Sequence, residues 1–76
     1  MSETLLTIAD ALREASEALR ASGVAEARRE AASLLSHLMS RDRTFLITHA
    51  DETLTREQLG SYLSLVERRA AGGPLQ

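Results

Sequence analysis

Leu5, Ile8, Leu12, Ala15 and Leu19 recur at steps of three and four, a spacing that gathers them on one stripe of a helix. The opposite face carries Asp10, Arg13, Glu14, Glu17 and Arg20. Asp10–Arg13, Arg13–Glu17 and Glu17–Arg20 stand at ion-pairing offsets, each able to add a few tenths of a kcal/mol. Ser22-Gly23 ends the pattern, because glycine accepts the left-handed conformation of a helix stop. A second stripe follows in Val24, Ala27, Ala31, Leu34 and Leu38, with Leu35 beside it and Arg28, Arg29 and Glu30 outside. Its alanines would let helix backbones approach closely, and the pattern fades at Met39-Ser40.

Phe45-Leu46-Ile47-Thr48-His49 suits a strand as well as a helix. Asp42 can cap a helix, and a strand here would have no partner in the chain, so the reading is a short helix from about Asp42 to Ala50. The last helix has the clearest start. Thr55 and Gln58 form a capping box, and Leu54 and Leu59 stand at the positions of the hydrophobic staple. Leu59, Tyr62, Leu63, Val66 and Ala70 supply its buried stripe. Gly60 weakens this helix by about 1 kcal/mol relative to alanine, a cost that close packing would offset. Arg68 and Arg69 suit the C-terminal end of the dipole, and Gly72-Gly73-Pro74 is the stop. Connections of two to five residues favour antiparallel neighbours. The expected architecture is an all-α bundle of four to five short antiparallel helices.

A length of 76 residues fits a single helical domain, 1–76, which buries only about 60% of its unfolded surface, so each packed leucine counts. There is no cysteine, which removes disulfides, thiolate metal sites and thiol redox chemistry. No apolar run reaches membrane-spanning length, and Met-Ser-Glu does not open a secretory signal, so the expected location is cytoplasmic, with no membrane partner. Nine arginines, no lysine and eleven acids give a net charge of −2, which does not fit a basic nucleic-acid binder.

The chemistry-bearing residues are sparse. His37 and His49 lie on different predicted helices without a metal-ligand spacing. His37 flanks the Leu34–Leu38 stripe and is expected to be a partly buried structural histidine bonded to a backbone carbonyl. His49 sits where a donor side chain suits the carbonyls that end a helix. Glu26, Glu30, Asp51 and Glu52 form no pair whose spacing is catalytic, and two aromatics, Phe45 and Tyr62, make no base-stacking platform. No phosphate-cradling loop or nucleophile elbow is present. These residues predict a binding domain with no catalytic, cofactor or metal site. Arg41-Asp42-Arg43-Thr44 sets two guanidinium groups beside a bend, either as a solvated capping loop or as a patch facing a partner. Arg28 and Arg29 join Arg41 and Arg43 as candidate partner-binding residues.

Several segments taken together resemble the start of the HemK/PrmC family, the release-factor glutamine methyltransferases. Ala27-Arg28-Arg29-Glu30-Ala31-Ala32-Ser33-Leu34-Leu35-Ser36-His37-Leu38 is similar to the family's R-x-D-A-E-x-L-L-x-H helix. Arg43-Thr44-Phe45-Leu46 is similar to its R-T-x-L turn, and Leu54-Thr55-Arg56-Glu57-Gln58 to its L-(S/T)-x-E-x helix start. Glu67 through Gln76 resembles R-R-x-x-G-x-P-L-Q, the most specific piece when read in order with the others. The chain departs from the pattern at Glu30 (usually Asp), Ala32 (often Glu), Ser40 (commonly Gly) and Gly73 (commonly Glu), and it lacks the Ser-Pro that often opens the second helix.

The resemblance implies an N-terminal substrate-recognition domain. In that family a Rossmann-like C-terminal domain binds S-adenosylmethionine and uses an Asn-Pro-Pro-Tyr motif to methylate the glutamine of the Gly-Gly-Gln motif in peptide chain release factors. Pro74 is the only proline here, so that motif is outside this sequence. The implied role is to dock the release factor, as a monomer joined to its own catalytic domain, with no direct contact to nucleic acid and no cofactor of its own. The alternative is a free-standing helical interaction or regulatory module, or a homodimer that buries the stripes of the first two helices.

Overall fold

In the computed structural model, residues 5–72 are described. The Gly73-Pro74 part of the predicted stop and the closing Pro74-Leu75-Gln76 lie outside them. Helix α1 (Ile8–Ala21) opens with its first three donors satisfied. The Ile8 and Ala9 N–H groups donate to the carbonyls of Glu52 and Ala50 at 2.8 and 2.9 Å, and the Asp10 N–H donates to Thr7 Oγ1 at 3.1 Å. It closes as predicted. Gly23 takes a φ of +85°, its N–H donates to the Arg20 carbonyl, and the Val24 N–H donates to that of Leu19. The buried stripe is Ile8, Ala11, Ala15 and Leu19. Leu12 is half-buried at its margin, while Leu5 precedes the helix and is exposed.

Helix α2 (Ala27–Met39) buries Ala27, Ala31 and Leu35. Its inward face is therefore rotated from the predicted one, with Leu34 and Leu38 half-buried at the edge rather than at the centre. Glu26, at φ 58°, enters the helix from the left-handed region and contributes no side-chain cap. Ser40 (φ 56°) ends α2 in the same conformation as Gly23, with the Arg41 N–H donating to the Ser36 carbonyl. This geometry explains why glycine suits position 40.

Helix α3 (Arg43–Thr48) is capped by Asp42, whose Oδ1 accepts the Phe45 N–H at 2.9 Å. It turns Leu46 into the core and Ile47 to solvent. Residues 49–55 then run back past α1, with a single antiparallel bridge between Thr7 and Thr53. This connection is longer than predicted because it also supplies the carbonyls that cap α1.

Helix α4 (Arg56–Gly72) starts with both hydrogen bonds of the capping box. The Thr55 N–H donates to Gln58 Oε1 and the Gln58 N–H donates to Thr55 Oγ1, each at 3.0 Å. Leu54 is buried and Leu59 packs against the core, as the staple requires. Tyr62 and Val66 lie at the centre of the buried face, whereas Leu63 is 42% exposed and leaves the predicted stripe. The Tyr62 hydroxyl donates to the Ala31 carbonyl at 2.8 Å, and burial pushes its ionisation well above the usual tyrosine range. Arg69 Nε donates to Glu30 Oε1 at 3.1 Å. α1 packs on α2, α4 packs on both, and α3 rests on α1 and α2.

Gly60 does not serve close packing, because a Cβ built there meets nothing within 4 Å. Gly60→Ala should therefore raise stability by about 0.5–1 kcal/mol, and Gly23→Ala should lower it by about 1 kcal/mol or more, because φ is positive there. Urea denaturation of the two variants reads both signs.

Tyr62→Phe should cost about 1 kcal/mol at neutral pH. The folded state holds the phenolic proton beyond the point where the unfolded chain releases it. Stability from this group is thus complete below about pH 10 and falls as pH rises further. Unfolding curves above pH 10 should show a steeper alkaline decline in the parent than in the phenylalanine variant.

Candidate functional site: an arginine-rimmed groove

Where α1, α2 and α3 meet, they leave a groove of about 780 Å³. Leu12, Ala32, Leu46 and Ile47 supply its apolar lining. Arg13 and Arg20, seven residues apart on α1, contribute two guanidinium groups with Glu17 between them. Arg28 and Arg29 come from the first turn of α2, and Arg43 from the start of α3. The lining thus has five arginines and one carboxylate, in a chain whose net charge is −2.

Two of the five arginines have local partners. Arg13 reaches Asp10 at 3.2 Å and Arg29 reaches Glu26 at 3.0 Å, both in exposed pairs that hold their side chains only weakly. Among the described residues no carboxylate pairs with Arg20, Arg28 or Arg43. The predicted Arg13–Glu17 and Glu17–Arg20 pairs are not formed among them either.

The structure brings three of the four predicted partner-binding residues, Arg28, Arg29 and Arg43, to this one groove. Arg41 is not in its lining. Its guanidinium lies over the Phe45 ring, 4.7 Å from the centroid, and His49 stacks on the same ring at 4.0 Å with the planes 15° apart. His49 Nδ1 lies 3.2 Å from the Phe45 carbonyl oxygen, the helix-end role expected of it. His37 is exposed, contrary to the expectation of a partly buried residue. It stands two positions after the inward-facing Leu35, which turns it about 200° around the helix and away from the core. Sequence reasoning assigned Arg13 and Arg20 to a solvated face. Their seven-residue spacing, which puts them on one side of α1, was the signal for their place in the groove.

Among the described residues no cluster of histidine and carboxylates could hold a metal ion, and no helix is long and apolar enough to cross a membrane. Fold and surface together define a small all-α domain that presents an arginine-rimmed, apolar groove. The chain belongs to the PrmC N-terminal domain family, which it matches over residues 10–76. It is 39% identical over 70 residues to the release factor glutamine methyltransferase of Vibrio cholerae, covering 92% of this chain and 24% of that protein. It is 46% identical over 61 residues to that of Burkholderia pseudomallei (80% and 21%), and 39% identical over 71 residues to that of Moorella thermoacetica (93% and 25%). The chain spans about a quarter of the length of these curated relatives. No solved structure matches it.

Leu46 and Ile47 are neighbours with opposite roles, 2% and 76% exposed. Leu46→Ala should cost about 2–4 kcal/mol, and Ile47→Ser should change stability by no more than about 0.5 kcal/mol. Thermal unfolding of the two variants distinguishes the packing residue from one available to a partner.

Proposed function

We propose that this domain docks the protein substrate of a release-factor glutamine methyltransferase. In this reading the domain holds a peptide chain release factor while a separate catalytic domain of the same enzyme methylates the glutamine of its Gly-Gly-Gln motif. The match to the PrmC N-terminal domain over residues 10–76 carries the proposal. The relatives are about four times as long, which favours a recognition domain within a larger enzyme over a free-standing module. The methyl donor of such an enzyme is S-adenosylmethionine. In this reading the catalytic domain holds that cofactor.

Docking through this surface uses Arg28, Arg29 and Arg43, with Arg41 beside them in sequence on the α2–α3 connection. In the longer enzyme, Arg28→Glu with Arg43→Glu should lower kcat/KM for release-factor methylation about tenfold or more, mainly through KM, with an unchanged helical circular-dichroism spectrum. Arg41→Glu alone should lower it less, because that side chain is already engaged with Phe45. Unchanged kcat/KM in the double variant would remove the groove from the docking surface.

A further inference from the structure

The groove's charge runs against that of the whole chain, and the three arginines that have no ion-pair partner among the described residues, Arg20, Arg28 and Arg43, each come from a different helix. Such groups favour carboxylates, which a guanidinium can bind in a bidentate fashion. Between them the half-buried Leu12 and Ala32 line an apolar surface over the buried Leu46, and Ile47 stands 76% exposed at its edge. A lone carboxylate would engage the rim and leave this surface wet. A purely apolar segment would cover it and desolvate the arginines without a counter-charge, which is unfavourable.

We propose that the groove takes an acidic amphipathic helix of a protein partner, with apolar side chains against Leu12, Ala32 and Ile47 and flanking carboxylates on Arg20, Arg28 and Arg43. The inference deepens the docking reading above and rests on it, adding the chemistry of the partner's surface and Arg20 as a contact. A nucleic acid fits less well. Neither Phe45 nor Tyr62 is in the lining to stack on a base, and a phosphate backbone would leave Leu12 and Ile47 uncovered.

The test is a titration of the isotope-labelled 76-residue chain, followed by NMR. The probe is a synthetic helix of about 15 residues with leucines four apart and glutamates flanking them. Saturable shifts are expected at Leu12, Ala32 and Ile47 and at the guanidinium groups of Arg20, Arg28 and Arg43. Affinity should fall about tenfold when the peptide's glutamates become glutamines, or when Arg20→Gln and Arg43→Gln are combined in a chain whose spectrum stays dispersed. Added salt should weaken it further. Equal binding of the glutamine peptide, shifts confined to other helices, or no shifts at about 1 mM peptide would overturn the proposal. Tighter binding of an oligouridylate at the same arginines would overturn it in favour of a nucleic acid. An indifferent acidic peptide, combined with methylation lost in the Arg28/Arg43 variant, would refute this inference and leave the docking reading standing. Unchanged methylation in that variant would instead remove the groove from the docking surface, whatever the peptide does.

Discussion

Tyr62 is the largest fully buried side chain, and its hydroxyl gives its proton to the Ala31 carbonyl of α2. A phenol taken out of water without a partner carries a cost of a few kcal/mol, so this bond limits where α4 can sit. The methyl side chain of Ala31 lets the ring come close enough to reach the backbone. Arg69, two turns further on and on the same face of α4, reaches Glu30, the residue next to Ala31. α4 thus grips α2 at adjacent positions, and α1 packs against the pair. None of the groove's lining comes from α4, so the helix that fixes the bundle leaves the surface formed by the other three free.

The local features of this fold were legible because their partners lie a few residues apart. The Thr55–Gln58 box, the Asp42 cap and the Gly23 stop are encoded within one helical turn, and each forms as its residue types require. What the sequence reading missed depends on contacts made across the chain. Tyr62 and Ala31 are 31 positions apart, and the carbonyls that cap α1 come from residues 50 and 52. Periodicity defines the inward face of a helix only to within about one residue step, or 100°. In α2 that margin moved the centre of the face to Leu35, turned His37 outward and placed Leu34 at the edge. Gly60 was misread for a related reason. A glycine in a helical pattern marks either close packing or its absence, and only the neighbouring helices decide which.

The groove was half legible. Arg28, Arg29 and Arg43 could be singled out because arginines clustered near a helix start or a bend suit bidentate contacts, but sequence alone does not show that they converge. Arg41 shares the sequence signal and has a different neighbour, the Phe45 ring. Phe45 and His49 stand four apart, the spacing at which side chains meet along a helix, whereas Arg41 reaches the ring from outside α3, on the α2–α3 connection, which the sequence does not show.

The core draws on small residues, with Ala11, Ala15, Ala27 and Ala31 among its fully or nearly buried members. An alanine seam brings backbones close but removes little apolar area from water per residue, so the satisfied helix ends carry a larger share of stability than they would around a leucine-rich core. Apolar area is correspondingly scarce in such a small domain. It is therefore informative that Ile47 stands in solvent one residue from buried Leu46, on a helix anchored by an N-cap. Nothing in the packing of the bundle requires a β-branched apolar residue there. Its position beside guanidinium groups on three rigid helices is what a preorganised docking surface needs, because the contacts can be made without ordering a loop first.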